Sequence, residues 1–90
     1  MSIKINIHPV LYHLTEDQKS ALVEGETVGR CLEALVARYP EVRPGLFDDH
    51  GKLLSYVEIY VNGESAYPDE LAKPVTDGDE LQIVLILAGG

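Results

Sequence analysis

The chain has 90 residues, of which 46% are apolar, and 15 acidic against 7 basic side chains give a net charge of −8 at pH 7. This length predicts one domain with a single hydrophobic core and little room for a deep catalytic cleft. The acidic charge argues against nucleic acid as a partner, and no apolar run is long enough to cross a membrane. Because the N-terminus also lacks the apolar region of a signal peptide, we expect a cytoplasmic protein.

The cysteine and histidine content predicts neither a disulfide nor a metal site. Cys31 is the single cysteine, and its place on an apolar helix face indicates a buried structural thiol. His8 and His13 are five residues apart, which puts them on opposite faces of a strand. Asp48-Asp49-His50 lacks the spacing of a calcium or zinc site. We therefore expect no metal and no bound cofactor.

The first 23 residues predict a β-hairpin. Isoleucines alternate with polar residues over positions 3–7, which is the period of a half-buried strand. Pro9 ends or bends this strand, and we expect residues 10–14 to continue the extended path. A turn over residues 15–18 then leads to a return strand over residues 19–23.

One amphipathic helix follows the hairpin. Thr27 is a suitable N-cap, and Pro40 stops the helix. Between them, apolar side chains recur at helical spacing, at Val28, Cys31, Leu32, Leu35, Val36 and Tyr39. Gly29 in the first turn costs helix stability, and its missing side chain predicts close packing of the helix on the sheet.

The middle of the chain predicts a long loop followed by a second hairpin. Residues 40–54 read as the loop, with a short helical turn around residues 44–47. Alternating side chains predict a strand over Tyr56 to Val61. Asn62-Gly63 is the strongest short-range hairpin signal, so a short edge strand should follow over residues 64–66.

The predicted elements together specify an α+β fold of the β-grasp, or ubiquitin-like, type. A turn at residues 76–79 precedes a last strand over residues 80–87, which completes the order β-β-α-β-(β)-β. This order predicts a mixed sheet with one main helix on one face and the first and last strands at its centre. A ferredoxin-like fold would need a second good helix, and the sequence predicts only one. We assign residues 1–87 to the domain and residues 88–90 to a flexible C-terminal tail.

The chain ends in Ala88-Gly89-Gly90, directly after the apolar last strand. A flexible tail on a rigid strand can carry a bare α-carboxylate into the active site of another protein. Gly89 and Gly90 suit a narrow channel, because residues without side chains let the backbone approach closely. This suggests a carrier whose working group is its own C-terminus; the alternative is an inert, frayed end.

Three segments carry a resemblance to a known family. The strand and hairpin of residues 56–64, the turn and strand of residues 76–84 and the terminal residues 88–90 are similar to the MoaD/ThiS sulfur carriers. Within that family, Gln18-Lys19, the loop ending in Gly51-Lys52-Leu53 and the stretch from Tyr56 to Asn62 most resemble the CysO type. The resemblance implies a ubiquitin-like carrier protein.

This resemblance implies a chemistry centred on Gly90. A separate E1-like adenylyltransferase would activate the Gly90 carboxylate with ATP, and a sulfur donor protein or sulfurtransferase would displace AMP to leave a thiocarboxylate. A sulfur-accepting synthase would then take the sulfur, while Gly89 and Ala88 provide access. The sequence has no phosphate-binding P-loop and no nucleophile–base set, so we expect a protein co-substrate rather than an enzyme.

Four functional alternatives stay open at this point. The CysO-like features favour a role in the synthesis of cysteine or a related sulfur amino acid. The small subunit of molybdopterin synthase is the second candidate. A ubiquitin-like modifier, joined through Gly90 to lysines of other proteins, and a non-covalent β-grasp binding module are the others.

A docking surface is predicted on the sheet face opposite the helix. If Leu81, Ile83, Leu85 and Leu87 face the helix, Val84 and Ile86 lie on the open face, and Tyr56 and Tyr60 join them there. These four residues would form an exposed apolar and aromatic patch beside the tail, suited to a protein partner. The alternative is that the long loop or an N-terminal segment covers the patch.

Overall fold

The computed structural model describes residues 2–86, which form a five-stranded mixed sheet in the order β2-β1-β5-β3-β4. The strands are β1 (Ile3–Asn6), β2 (Ser20–Val23), β3 (Val57–Val61), β4 (Glu64–Ser65) and β5 (Glu80–Leu85), and the α-helices are α1 (Val28–Arg38) and α2 (Arg43–Leu46). Short 3₁₀ helices cover Pro9–Leu14, Pro40–Val42 and Glu70–Ala72. This is the predicted β-grasp, with α1 as its main helix.

The last strand lies at the centre of the sheet, as predicted. β5 runs parallel to β1, with Ile5 opposite Leu81. On its other side β5 runs antiparallel to β3, with Ile59 opposite Ile83. β5 is therefore paired with β1 over residues 80–82 and with β3 over residues 81–85.

The hydrophobic core lies between α1 and one face of the sheet. The stripe predicted on α1 is buried from Val28 to Val36, and Tyr39 is half-buried against the core. The alternating strand residues that face the helix are also buried, among them Ile5, Ile59 and Leu81. The other face of the sheet has no helix packed on it among the described elements. No helix of residues 2–86 is long and apolar enough to cross a membrane.

The segment after β1 is a 3₁₀ helix and not the extended continuation that the sequence suggested. His8 caps it, because its Nδ1 accepts a hydrogen bond of 3.1 Å from the backbone N–H of Val10. Pro9 occupies the first turn, where its fixed φ is suited to a helical start. Leu11 is thereby turned into the core.

The start of α1 confirms the predicted cap and corrects the role of its glycine. The Thr27 hydroxyl accepts a 3.2 Å hydrogen bond from the N–H of Arg30. A Cβ placed on Gly29 would lie 2.9 Å from the carbonyl oxygen of Leu71. Gly29 therefore allows close approach of the 3₁₀ helix at Glu70–Ala72, where the sequence had suggested close packing on the sheet.

The loop and hairpin predictions for the middle of the chain are confirmed. The expected helical turn is α2, preceded by a 3₁₀ helix at Pro40–Val42. In the turn between β3 and β4, Asn62 and Gly63 have φ values of 50° and 86°. Positive φ at both central residues is typical of a type I′ turn, in which Asn-Gly is the preferred pair.

Candidate functional site

The site predicted at the C-terminus is approached through the last described residue, Ile86. Its backbone N–H donates a 2.7 Å hydrogen bond to the carbonyl oxygen of Tyr56, which extends the pairing of β5 with β3 by one residue. Leu87 and the predicted site residues Ala88, Gly89 and Gly90 lie outside the described residues. The point from which residues 87–90 depart is therefore fixed at this corner of the sheet.

The four residues predicted for docking share the open face of the sheet. Val84 lies opposite Glu58, and Tyr60 lies opposite Gln82. Tyr56 and Ile86 are 42% and 50% exposed, whereas Tyr60 and Val84 are half-buried. Exposed apolar surface is thus concentrated at the Tyr56–Ile86 end, and neither the long loop nor the N-terminal segment covers that end.

Polar residues interrupt the predicted apolar patch. Glu58 and Gln82 lie on the same face as Tyr60 and Val84, one on each of the two central strands. Glu58 is held toward β4, because its Oε1 accepts a 3.2 Å hydrogen bond from the Ser65 hydroxyl. The structure brings Tyr56 and Ile86 together directly, whereas Val84 lies level with Glu58 and Tyr60 lies level with Gln82.

A hydrogen-bond network fixes the start of β5 relative to the β3–β4 hairpin. Asp79 accepts hydrogen bonds from the Thr76 N–H at 2.8 Å and from the Asn62 amide at 3.0 Å. The Asn62 side-chain oxygen in turn accepts from the N–H of Glu80 at 2.9 Å. The hydrogen bonds to Asp79 lower the pKa of its carboxyl, and the one from the Thr76 N–H has a larger effect than the one from Asn62.

Sequence reasoning missed a groove of about 980 Å³ beside Ile86. We call it the lateral groove; it is lined by residues 52–54 at the end of the long loop, by Ser55, by Val57 and Glu58 of β3, and by residues 67–72 and Ile86. Three separate stretches of chain form it, so no local pattern in the sequence could indicate it. The apolar Leu53, Leu54 and Leu71, which stand in stretches otherwise typical of loops, are the one signal that the sequence offered.

The titratable side chains with shifted pKa values have structural roles among residues 2–86. Cys31 is fully buried, and desolvation raises the pKa of its thiol, which disfavours the reactive thiolate. The pKa of Asp48 is lowered by hydrogen bonds from the N–H groups of Lys52 and His50, which close the turn at residues 48–52. Among residues 2–86, no three His, Cys, Asp or Glu side chains are grouped to hold a metal ion.

Comparison with protein-family models places the chain in a class of β-grasp proteins. Residues 7–90 match the model of the ThiS family, and the chain belongs to that family. The sulfur carrier protein CysO from Mycobacterium tuberculosis is 36% identical over 93 aligned positions, which cover all of both chains. These matches confirm the predicted family and the predicted similarity to the CysO type.

Solved structures agree with this placement. The chain superimposes on the Amycolatopsis orientalis BexX/CysO complex with a TM-score of 0.88, at 29% identity over 98% of this chain and 99% of that one. The small archaeal modifier protein 1 from Haloferax volcanii gives a TM-score of 0.85, at 26% identity over 96% of this chain and 98% of that one. Both comparisons confirm the predicted β-grasp fold.

Proposed function

We propose that this protein is a sulfur carrier that works as a thiocarboxylate at Gly90. The observation that carries the proposal is the full-length similarity to the sulfur carrier protein CysO, at 36% identity with both chains covered completely. It is supported by the terminal Gly89-Gly90 that follows the central strand in the sequence. The leading role is in the synthesis of cysteine or a related sulfur amino acid.

The chemistry explains why such a carrier needs partners. The α-carboxyl group has a pKa of roughly 3.3–3.7 and is ionised at neutral pH, which makes it a poor electrophile. Adenylation by an E1-like enzyme joins AMP to the Gly90 carboxylate and releases pyrophosphate from ATP. Sulfide-level sulfur from a donor protein or sulfurtransferase then displaces AMP and leaves the thiocarboxylate. A sulfur-accepting synthase takes the sulfur in the final step.

This scheme makes the chain a carrier rather than a catalyst, which agrees with the description of CysO as a carrier. ATP is consumed by the activating partner, and the carrier itself needs no bound cofactor. Its proposed partners are proteins, with no role for nucleic acid or a membrane, in keeping with a cytoplasmic location. That the related CysO from Amycolatopsis orientalis was solved in a complex with BexX supports a protein partner.

Chain length restricts where the activating enzyme docks. Four residues follow Ile86, and four extended residues span at most about 14 Å. The adenylating site must therefore come within that distance of Ile86. The apolar side chains of Tyr56 and Ile86 are exposed at this point. We propose that they form the centre of the docking surface, with Tyr60 and Val84 at its edge.

Protein modification is the second candidate function. The observation in its favour is the similarity to small archaeal modifier protein 1, which is 36% identical over 69 residues, or 76% of each chain. In this role the activated Gly90 carboxyl would form an isopeptide bond with a lysine of another protein. Both candidates share the activation step and differ in the group that attacks Gly90.

Intact mass of the chain, coexpressed with its loading partners, tests the proposal. The carrier hypothesis predicts a species heavier by the exchange of one oxygen for one sulfur, absent from a variant that lacks Gly90. If an active E1-like partner yields only unmodified chain, the proposal is wrong. Isopeptide-linked Gly90 on other proteins would instead establish the modifier function.

A matched pair of variants tests the docking surface. Ile86→Ser should slow adenylation, because it removes exposed apolar surface next to the reacting end. Leu22→Ser is the control, since Leu22 is also an exposed strand residue, 62% exposed, but lies on the edge strand β2. Equal adenylation rates for the two variants would argue against this surface.

A further inference from the structure

We propose that the lateral groove is a docking site for a basic segment of a partner protein that carries a large apolar side chain. The groove is lined mainly by apolar side chains, including the half-buried Leu53, Leu54 and Leu71. Tyr67 and Ile86 also line it and are 73% and 50% exposed. An apolar centre with a polar rim is the usual anatomy of a protein–protein interface.

Within residues 2–86, exposed apolar surface is concentrated around this groove. Five large hydrophobic residues of the described chain are exposed: Val10, Leu22, Tyr56, Tyr67 and Ile86. Two of the five, Tyr67 and Ile86, line the groove, and Tyr56 adjoins it through its backbone hydrogen bond with Ile86. Clustering of such residues marks an interaction site, whereas single exposed apolar residues are ordinary.

The groove is rimmed by more acidic than basic side chains, which favours a basic occupant. Three carboxylates line it, from Glu58, Asp69 and Glu70, against one ammonium group, from Lys52. None of the three carboxylates forms an ion pair with a basic side chain among residues 2–86. Lysine or arginine beside the apolar anchor would complement this rim, and the net charge of −8 would speed the encounter.

The groove is preformed, which lowers the cost of ordering it on binding. On one side, the N–H of Val28 at the start of α1 donates a 2.9 Å hydrogen bond to the carbonyl oxygen of Lys73, directly after the 3₁₀ helix at Glu70–Ala72. On the other, the N–H of Leu54 donates a 2.9 Å hydrogen bond to Leu46, and the N–H of Val57 donates one of 2.9 Å to Leu54. Both sides are therefore fixed before a partner arrives.

This inference goes beyond the sulfur-carrier proposal, because binding in the groove needs no activation of Gly90. A segment bound there would lie beside Ile86, four residues from the C-terminus. It would hold the partner near the reacting end, in addition to any contact on the open sheet face. The groove is thus a second recognition site, which a partner contacts with basic side chains and one apolar side chain.

Titration of the isotope-labelled full chain with synthetic peptides, followed by amide chemical shifts, tests the proposal. The probe is a short peptide of alternating leucine and lysine. Its controls replace lysine by glutamate in one peptide and leucine by serine in another. We expect saturable shifts from the first peptide alone, centred on the amides of Leu54, Glu58, Leu71 and Ile86. Absence of binding, or shifts centred on Val10 and Leu22, would overturn the proposal.

Variants separate groove binding from general attraction between a basic peptide and an acidic protein. Tyr67→Ser removes an exposed aromatic side chain and Asp69→Lys reverses a charge at the groove, and each should weaken binding by about fivefold to tenfold. Leu22→Ser and Asp49→Lys are the matched controls and should leave the affinity unchanged. Equal loss in both sets would overturn the proposal.

Two further outcomes would assign the groove to another occupant and also overturn the proposal. In the first, the chain lacking residues 87–90 binds the peptide and the full chain does not, so the occupant is the protein's own C-terminus. In the second, the groove amides shift on dilution without peptide, which indicates a second copy of the chain.

Discussion

Replacing Gly29 by alanine tests the contact between α1 and the 3₁₀ helix that forms one side of the lateral groove. The added Cβ would lie 2.9 Å from the Leu71 carbonyl oxygen and 3.3 Å from the Leu71 Cβ. The first distance is to a backbone atom, so the 3₁₀ helix at Glu70–Ala72 must move away from α1. Alanine gains up to about 1 kcal/mol of helix propensity over glycine, whereas overpacking of this kind costs about 1–3 kcal/mol.

The difference between these two effects is a net destabilisation of about 1 kcal/mol. For a domain of this size, that lowers the melting temperature by about 4–8 °C. Thermal and urea unfolding measure the change. Ala37→Gly is the matched control, because Ala37 is exposed on the same helix and reports helix propensity without the steric contact. If Gly29→Ala raises stability instead, the result would contradict a close steric contact between Leu71 and α1.

Two further predictions concern titratable side chains. The pKa of Asp79 is lowered in the folded protein, so its stabilising contribution is present above the unfolded value of about 3.9 and is lost as pH falls through the folded value. Asp79→Asn should therefore be less stable than the parent at neutral pH, with a difference in urea midpoint that shrinks below about pH 4; a constant difference would contradict this. Cys31 is 0% exposed and its thiol pKa is raised by burial, so a thiol reagent should label the native chain far more slowly than the unfolded chain. Similar labelling rates would show that Cys31 is accessible.

Local patterns were sufficient to predict the sheet, the helix and their order. The alternating isoleucines at residues 3–7 specify which face of β1 is buried, and Asn62-Gly63 supplies the two positive φ values of the second hairpin. Thr27 and Pro40 set the limits of α1, because a cap begins a helix and a proline ends it. In each case the signal lies within a few neighbouring residues.

Contacts between distant parts of the chain could not be predicted in the same way. The 3₁₀ helix at Pro9–Leu14 depends on a cap from the His8 side chain and on burial of Leu11, which lies against Gly45 of the long loop. The partner of Gly29 is Leu71, more than forty positions away in the sequence. The lateral groove combines three stretches of chain for the same reason. Such features follow from tertiary packing, which the single sequence leaves undetermined.

The central position of β5 has a mechanical consequence for a protein handled by its C-terminus. A partner that pulls on this end applies force along β5, against β1 on one edge and β3 on the other. The pairing with β3 over residues 81–85 and the pairing with β1 over residues 80–82 are then loaded together in shear, so several hydrogen bonds must break at once. The N-terminus adds resistance, since the N–H of Ser2 donates a 2.6 Å hydrogen bond to Asp77 in the turn before β5. Repeated engagement and release of this end should leave the folded domain intact.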